Sequence, residues 1–329
     1  MTHAYDVAGL GNAIVDVIAP ADDAFLLKHN IAKGVMTLID DFRAAQLGEA
    51  VTEAQEAAGG SAANTIAGLA SLGGKGLFVG KVKADRLGES FADSLKEIGV
   101  SYSTKMAESG PATACSIILV TPDGHRSMNT YLGASREIAP SDIDEEAIAG
   151  AQVLYVEGYL WDAPGAKSAI NKAIAAAKRA GRKVGFTLSD PFCVARWRDE
   201  FLDLMSNLDI LFANEDEAKA LFEVEEFDAV LQAVRPWPGI AALTRSEKGC
   251  VVAQGQELHV LDAAPVARVV DTTGAGDQFA AGFLYGLTHG KDLAQCGRLG
   301  ALAAAEVISH YGPRPETPLH ALAAREGLI

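Results

Sequence analysis

The run Asp271-Thr272-Thr273-Gly274-Ala275-Gly276-Asp277 sets a carboxylate on either side of a glycine turn. Phe279, Phe283 and Leu287 follow four apart, which predicts a helix from Gln278 to Leu287. A Gly-Ala-Gly turn opening a helix presents bare backbone N–H groups at the positive end of the helix dipole. Such a turn suits a phosphate, or an oxyanion that develops during a reaction. Asp277 would repel a phosphate bound there, so it needs another reason to be present. A general base that takes the proton of an attacking hydroxyl supplies one. The plainer alternative is an Asp N-cap, with glycines that serve only the turn. Asp271 weighs against that alternative. It closes Ala267-Arg268-Val269-Val270, which reads as a strand, and ligands of α/β sheets bind at strand ends.

Other polar residues gather at similar junctions. Asn12 and Asp16 follow the first apolar strand, and Asp16 sits in the run Ala13-Ile14-Val15-Asp16-Val17-Ile18. A carboxylate there is costly unless paired or solvated at a site, and two vicinal sugar hydroxyls would satisfy it. The alternative is a turn Asp. Gly59-Gly60-Ser61-Ala62-Ala63-Asn64 precedes a helix. Its glycines allow a ligand to approach, and Asn64 both donates and accepts. Ser61 as a simple N-cap is the alternative. Asn214-Glu215-Asp216-Glu217 follows a strand, which suits Mg²⁺ held largely through water, or a plain capping cluster. Arg126 lies on a hairpin that could carry it over a phosphate, although an exposed Arg is more often a solvated charge. Tyr159 and Phe192 each follow a strand and could stack on a flat ring or pack into the core. Gly9-Leu10-Gly11 lacks the third glycine of a dinucleotide fingerprint, and no Walker A sequence occurs.

The elements that must position these residues are legible from periodicity. The 329 residues suffice for one large α/β domain or two smaller ones, and 49% hydrophobic content supplies a sizeable core. Strands at Tyr5–Gly11, Gly76–Val82, Val153–Glu157, Lys183–Leu188, Ile210–Ala213 and Gly239–Thr244 alternate with helices at Ser61–Leu72, Ser90–Ile98, Gly165–Ala180 and Asp216–Phe222. Gly249–Gln254 begins a hairpin, and two helices, Gln278–Leu287 and Asp292–Ser309, close the chain. This order predicts a three-layer αβα, doubly wound and mostly parallel sheet. Residues 13–40 and 112–132 break the alternation, and Thr113–Tyr131 reads as a β-hairpin. Both are read as one small β-sheet lid over the strand ends, rather than edge strands. The main domain is then 1–12, 41–111 and 133–329. A net charge of −15 argues against a nucleic-acid partner, which needs a basic footprint. The four cysteines show no metal-ligand spacing and read as free thiols. The start of the chain has no basic targeting region and no apolar run is long enough to cross a membrane, so a cytoplasmic location is expected.

Together these residues resemble the ribokinase-like (PfkB) carbohydrate kinase family. Asp271–Asp277 resembles its C-terminal signature and Gly59–Asn64 its glycine-rich N-terminal segment. Asn214–Glu217 resembles its Asn-x-x-Glu magnesium motif, and Thr244-Arg245-Ser246-Glu247-Lys248-Gly249 its strand–turn before the nucleotide site. Four ordered motifs span about Tyr5 to Tyr311. Within the family the likeness is nearest to the adenosine kinases, through Gly11–Asp16, Arg126-Ser127, Gly158-Tyr159-Leu160 and Leu188-Ser189-Asp190-Pro191-Phe192. Tyr159 stands where many of those carry Phe, with Trp161 and Asp162 after it, and Ser309–Pro313 is only loosely like the family's tail.

The resemblance implies ATP- and Mg²⁺-dependent phosphorylation of a sugar hydroxyl. The leading reading is the 5′-hydroxyl of adenosine, in purine salvage. The runners-up are inosine or guanosine, or a free sugar such as ribose, fructose or a sugar acid. A non-catalytic binder would have no need of Asp277. Implied for the acceptor are Asn12, Asp16, Gly59, Gly60, Ser61, Asn64, Tyr159 and Phe192, with Asp16 and Asn64 on the ribose hydroxyls. Implied for catalysis are Asp277, Arg126 and the amides of Gly274, Ala275 and Gly276. ATP would meet Asn214, Thr244, Arg245, Gly249, Thr272, Gly274 and Gly276, with Mg²⁺ near Asn214 and Glu217 through water. Some relatives add a monovalent cation such as K⁺ near the signature turn, and an apolar lid face would allow a homodimer.

Overall fold

The strands of the computed structural model, which describes residues 3–329 (the side chain of Pro164 apart), form two sheets. In chain order they are β1 (Tyr5–Leu10), β2 (Ile14–Pro20), β3 (Met36–Leu38), β4 (Gln55–Gly59), β5 (Gly76–Val79), β6 (Ser101–Tyr102) and β7 (Ala114–Val120). There follow β8 (Arg126–Tyr131), β9 (Ala151–Glu157), β10 (Lys183–Thr187), β11 (Ile210–Asn214), β12 (Ile240–Thr244), β13 (Cys250–Gln254) and β14 (Glu257–Leu261). The larger sheet has nine strands in the order β14-β13-β12-β11-β10-β9-β1-β5-β6. It is parallel from β6 to β12, and β13 and β14 turn back as a hairpin.

The central strands are apolar throughout because helices cover both faces. One face packs on Pro164–Arg179, Pro191–Leu204, Glu215–Phe222 and Phe227–Val234. The other packs on Ser61–Ser71, Arg86–Glu97, Ala275–Thr288 and Leu293–Val307. Phe283 meets Phe212 edge to face, with ring centroids 5.5 Å apart, which seats helix Ala275–Thr288 on β11. Parallel strands bring their C-terminal ends to one rim. Asn12, Glu157, Ser189, Asn214 and Thr244 therefore emerge side by side.

The second sheet has five strands in the order β3-β8-β7-β2-β4. The hairpin β7–β8 is antiparallel, as the sequence predicts. Two features differ from expectation. Segment 13–40 includes a helix, Asp23–Lys28, capped by Asp22. The sheet also takes in Gln55–Gly59, which the sequence reading left in the main domain and which pairs antiparallel with β2. Helix Asp41–Ala50 lays Leu47 on this sheet, in a small core with Ala19, Leu26, Ile117 and Leu119.

Other boundaries are also corrected. Ala267–Val270 is not a strand and joins neither sheet. Instead the N–H of Val270 bonds Ile308 O at 2.8 Å. A third terminal helix, Leu319–Arg325, buries Leu319 and Ala323 in the core. Helix Arg86–Glu97 starts a turn earlier than predicted, since Asp85 caps it. Cys115, Cys193, Cys250 and Cys296 are buried free thiols, and burial pushes them up to about 11 for Cys115 and about 12 for the others. No helix among the described residues is long and apolar enough to cross a membrane.

Candidate active site

Gly274 caps helix Ala275–Thr288 in the left-handed conformation, with φ 80°. A Cβ there would lie 2.7 Å from the Pro313 backbone, so space as well as torsion requires glycine. Asp277 is therefore not the N-cap but the third residue of the helix. The Ala275 N–H closes the turn on Thr272 O at 3.2 Å, and the Gln278 N–H makes the first helical bond, to Gly274 O at 2.8 Å. The amides without a partner among the described residues are those of Gly274, Gly276 and Asp277. Ala275, expected in the anion site, is spent on the turn itself.

The Asp277 carboxylate lies beside these donors. It accepts from Ser61 Oγ at 2.6 Å and from Asn64 Nδ2 at 3.3 Å. Burial raises it to about 6, and the two hydrogen bonds pull in the other direction. Ser61 and Asn64, expected to face a sugar, thus turn towards the carboxylate that would act as base.

Asp271 is locked at the head of the turn. It accepts from Thr273 N at 3.0 Å, Thr273 Oγ1 at 2.7 Å and Gly312 N at 3.1 Å, and it forms an ion pair with Arg126. Burial would raise Asp271, but the Thr273 and Gly312 bonds and the Arg126 charge outweigh it and hold it low. Arg126 is thus neither a solvated charge nor free. It ties β8 of the small sheet to the signature turn.

Two residues at the site escaped the sequence reading. Glu157 closes β9 and is 1% exposed. It accepts from Asn12 N at 2.8 Å, Asn12 Nδ2 at 2.7 Å and Ala62 N at 2.8 Å. Burial raises it to about 7 against those bonds. Asn12, expected on the acceptor, is engaged here at the joint between β1 and β2. A carboxylate ending an apolar strand was the available signal, the same one that drew attention to Asp271. Arg314 is the second, flanked by Pro313 and Pro315. It donates to Asn64 Oδ1 at 3.4 Å and to Ser94 Oγ at 3.2 Å. Asp16 lies on β2, packed against Gly59 so closely that a Cβ there would be 2.5 Å from Oδ2. Burial raises Asp16 to about 6, while the Arg126 and Arg314 charges lower it.

A cavity of about 510 Å³ opens between the two sheets, within the usual range for small-molecule sites. The small sheet contributes Met36, Leu38 and Met128, and the large one contributes Ser61, Glu157, Thr244, Thr272 and Gly274–Asp277. Tyr159 and Phe192 line it as a tilted pair with centroids 6.1 Å apart. Phe192 is 37% exposed, so it is not core packing.

Asn214 and Glu217 also line the cavity, as a reciprocal capping box. The Asn214 N–H and Nδ2 donate to the Glu217 carboxylate at 2.9 and 2.7 Å, and the Glu217 N–H donates to Asn214 Oδ1 at 2.8 Å. Burial raises Glu217 to about 7. No group of three or more His, Cys, Asp or Glu among the described residues could hold a metal. A cation here would take most of its ligands from water or from a nucleotide. Asp16, Gly59, Gly60, Asn64, Arg126, Arg245 and Gly249, all expected at the site, do not themselves line the cavity. Arg245 pairs with Glu215 at 2.9 Å and lies 3.9 Å above the Phe227 ring, and Gly249 is the left-handed hinge, φ 79°, between β12 and β13.

A parallel sheet whose rim carries a desolvated carboxylate beside a glycine turn with unpartnered amides, under a smaller sheet, is the frame of an α/β phosphotransferase with an alcohol acceptor. Residues 34–319 match the model of the pfkB family carbohydrate kinases, and the chain belongs to that family. The adenosine kinase of Saccharomyces cerevisiae is 29% identical over 328 residues, 92% of this chain and 95% of that protein. The crystal structure of adenosine kinase from Sinorhizobium meliloti is 50% identical with a TM-score of 0.90, covering 98% of this chain and 99% of the other. A probable sugar kinase protein from Rhizobium etli is also 50% identical, with a TM-score of 0.92 over all of both chains.

Proposed function

We propose that this kinase transfers the γ-phosphoryl group of ATP to the 5′-hydroxyl of adenosine, giving AMP and ADP. The observation that carries the reading is Asp277, desolvated and held by Ser61 beside three unpartnered amides, in a cavity that also contains the aromatic pair Tyr159 and Phe192. A purine stacked on those rings directs its ribose towards Asp16 and its 5′-hydroxyl towards Asp277. Asp277 accepts the hydroxyl proton as the oxygen attacks the γ-phosphorus and the bond to the leaving ADP oxygen breaks. The Gly274, Gly276 and Asp277 amides stabilise the charge on the transferred group, and Arg126, fixed by Asp271, adds positive charge beside the turn. Thr244 and Thr272 line the ATP side of the cavity. Mg²⁺ carried by the nucleotide would neutralise its phosphate oxygens, with Asn214 and Glu217 meeting it through water. The apolar residues Met36, Leu38 and Met128 of the small sheet exclude water from the reacting groups and so limit ATP hydrolysis.

A second reading, a free sugar as acceptor, has support of its own, since a 50% identical structure bears the name of a probable sugar kinase. An ADP-release assay with Mg·ATP and adenosine, inosine, guanosine, ribose, fructose and 2-keto-3-deoxygluconate separates the two. Adenosine should give by far the highest kcat/KM. A free sugar in first place refutes the nucleoside reading and leaves Tyr159 and Phe192 without a base to stack on.

A further inference from the structure

Arg314 presents an unmet donor. Its Nε and Nη1 are engaged by Asn64 and by Ser94, but Nη2 is buried with no partner among the described residues. A buried guanidinium N–H without an acceptor is costly, so a native structure keeps one where a ligand will supply it. The small sheet holds the complementary defect. Asp16 lies against Gly59, next to the N-cap of the helix that carries Asn64, and accepts no hydrogen bond among the described residues. Its nearest cationic neighbours, Arg126 and Arg314, act on it through charge and not through an ion pair. A carboxylate short of a donor and a guanidinium short of an acceptor suit one kind of group. A hydroxyl donates to the first and accepts from the second.

We infer that Arg314 is a specificity-determining residue for the acceptor, its Nη2 donating to a secondary sugar hydroxyl that itself donates to Asp16. The inference rests on the reading that a sugar-bearing acceptor places its reacting hydroxyl at Asp277. Asn64 supplies the link, because its amide bonds Asp277 through Nδ2 and Arg314 through Oδ1. The residue that steadies the base therefore also aims the guanidinium.

The test crosses enzyme variants with substrate hydroxyls. kcat/KM is measured for adenosine, 2′-deoxyadenosine and 3′-deoxyadenosine with wild type, Arg314→Met and Arg314→Lys, alongside thermal midpoints. Wild type should disfavour at least one deoxynucleoside by about 10- to 100-fold, the span of a charge-assisted hydrogen bond. Arg314→Met should lose a similar factor on adenosine and almost nothing on that analogue, so the discrimination collapses. Arg314→Lys should recover part of it. An equal loss on all three nucleosides overturns the assignment, as does a wild type indifferent to both hydroxyls. If Arg314→Met does not fold, Arg314→Lys decides by the same comparison. If wild type prefers a free sugar, the adenosine reading alone fails, and the same cycle with that sugar and its deoxy forms tests Arg314. A wild type that phosphorylates none of these acceptors overturns both readings.

Discussion

The nine-stranded platform and the five-stranded lid meet at one cavity but are built to different standards. The platform is covered on both faces and contains two large cores. The lid has a core of five buried residues, and it leaves Leu27 80% and Phe42 75% exposed. Asp277, the glycine turn and Glu157 belong to the platform. The lid contributes Asp16 on β2, and Arg126, which holds Asp271 at the head of the turn. Exact placement of a base needs a rigid frame, whereas admitting and enclosing a ligand needs an element of lower local stability. Ties that cross the boundary include the ion pair of Arg126 with Asp271 and the bidentate pair of Arg86 with Glu56 on β4.

The most severe way to break the contrast is at the base. Asp277→Asn should lower kcat by about 10²- to 10⁴-fold while nucleoside affinity, measured by calorimetry, changes little. Undiminished turnover would refute the platform's role in the chemistry.

Arg126→Met comes next. It leaves Asp271 buried without its cation, a loss of about 3–5 kcal/mol where a buried pair is broken on one side. The loss should fall on lid docking. Hydrogen exchange should speed up in β7 and β8 and stay slow in β9 and β10. Uniform acceleration in both sheets would show that lid and platform open as one unit.

The smallest effect is a pH dependence. Asp16 and Asp277 stand at about 6, and Glu157 and Glu217 at about 7, all raised by burial. In this window the folded chain holds protons that the unfolded chain has released. Protonation therefore stabilises the fold, and stability should rise as pH falls from about 7.5 to 5.5. The melting temperature should increase by about 2–4 °C for each kcal/mol gained. On the proposed mechanism activity should move the opposite way, because a base must be ionised to accept a proton. Below the ordinary carboxylate range the trend reverses, since Asp271 and Glu215 are held low and lose their bonds on protonation. A melting temperature that falls between pH 7.5 and 5.5 would count against the burial of these four groups.

Much of the platform is legible in the sequence because its elements are long, apolar and periodic. The glycine turn is legible because two glycines between two carboxylates mark a tight turn that opens a helix. The Asn214–Glu217 spacing fits a water-held cation or a capping cluster equally, and the structure shows a reciprocal capping box. Other features depend on partners far along the chain. Glu157 meets Asn12 across 145 residues and Arg314 meets Asn64 across 250, beyond the reach of any local pattern. Gln55–Gly59 has little intrinsic strand preference and is a strand because β2 offers it a register. Val269 and Val270 have that preference but join neither sheet, and the Val270 N–H bonds Ile308 O instead.

The four buried thiols have a practical consequence. With their acidity suppressed to about 11 or 12, almost none of their sulfur is thiolate at neutral pH, so alkylating reagents find no native target. A single cysteine placed at Leu27, on the outside of the lid, would accept a fluorophore without removal of the native ones. The unaltered protein is in effect a ready background for watching that sheet move by fluorescence.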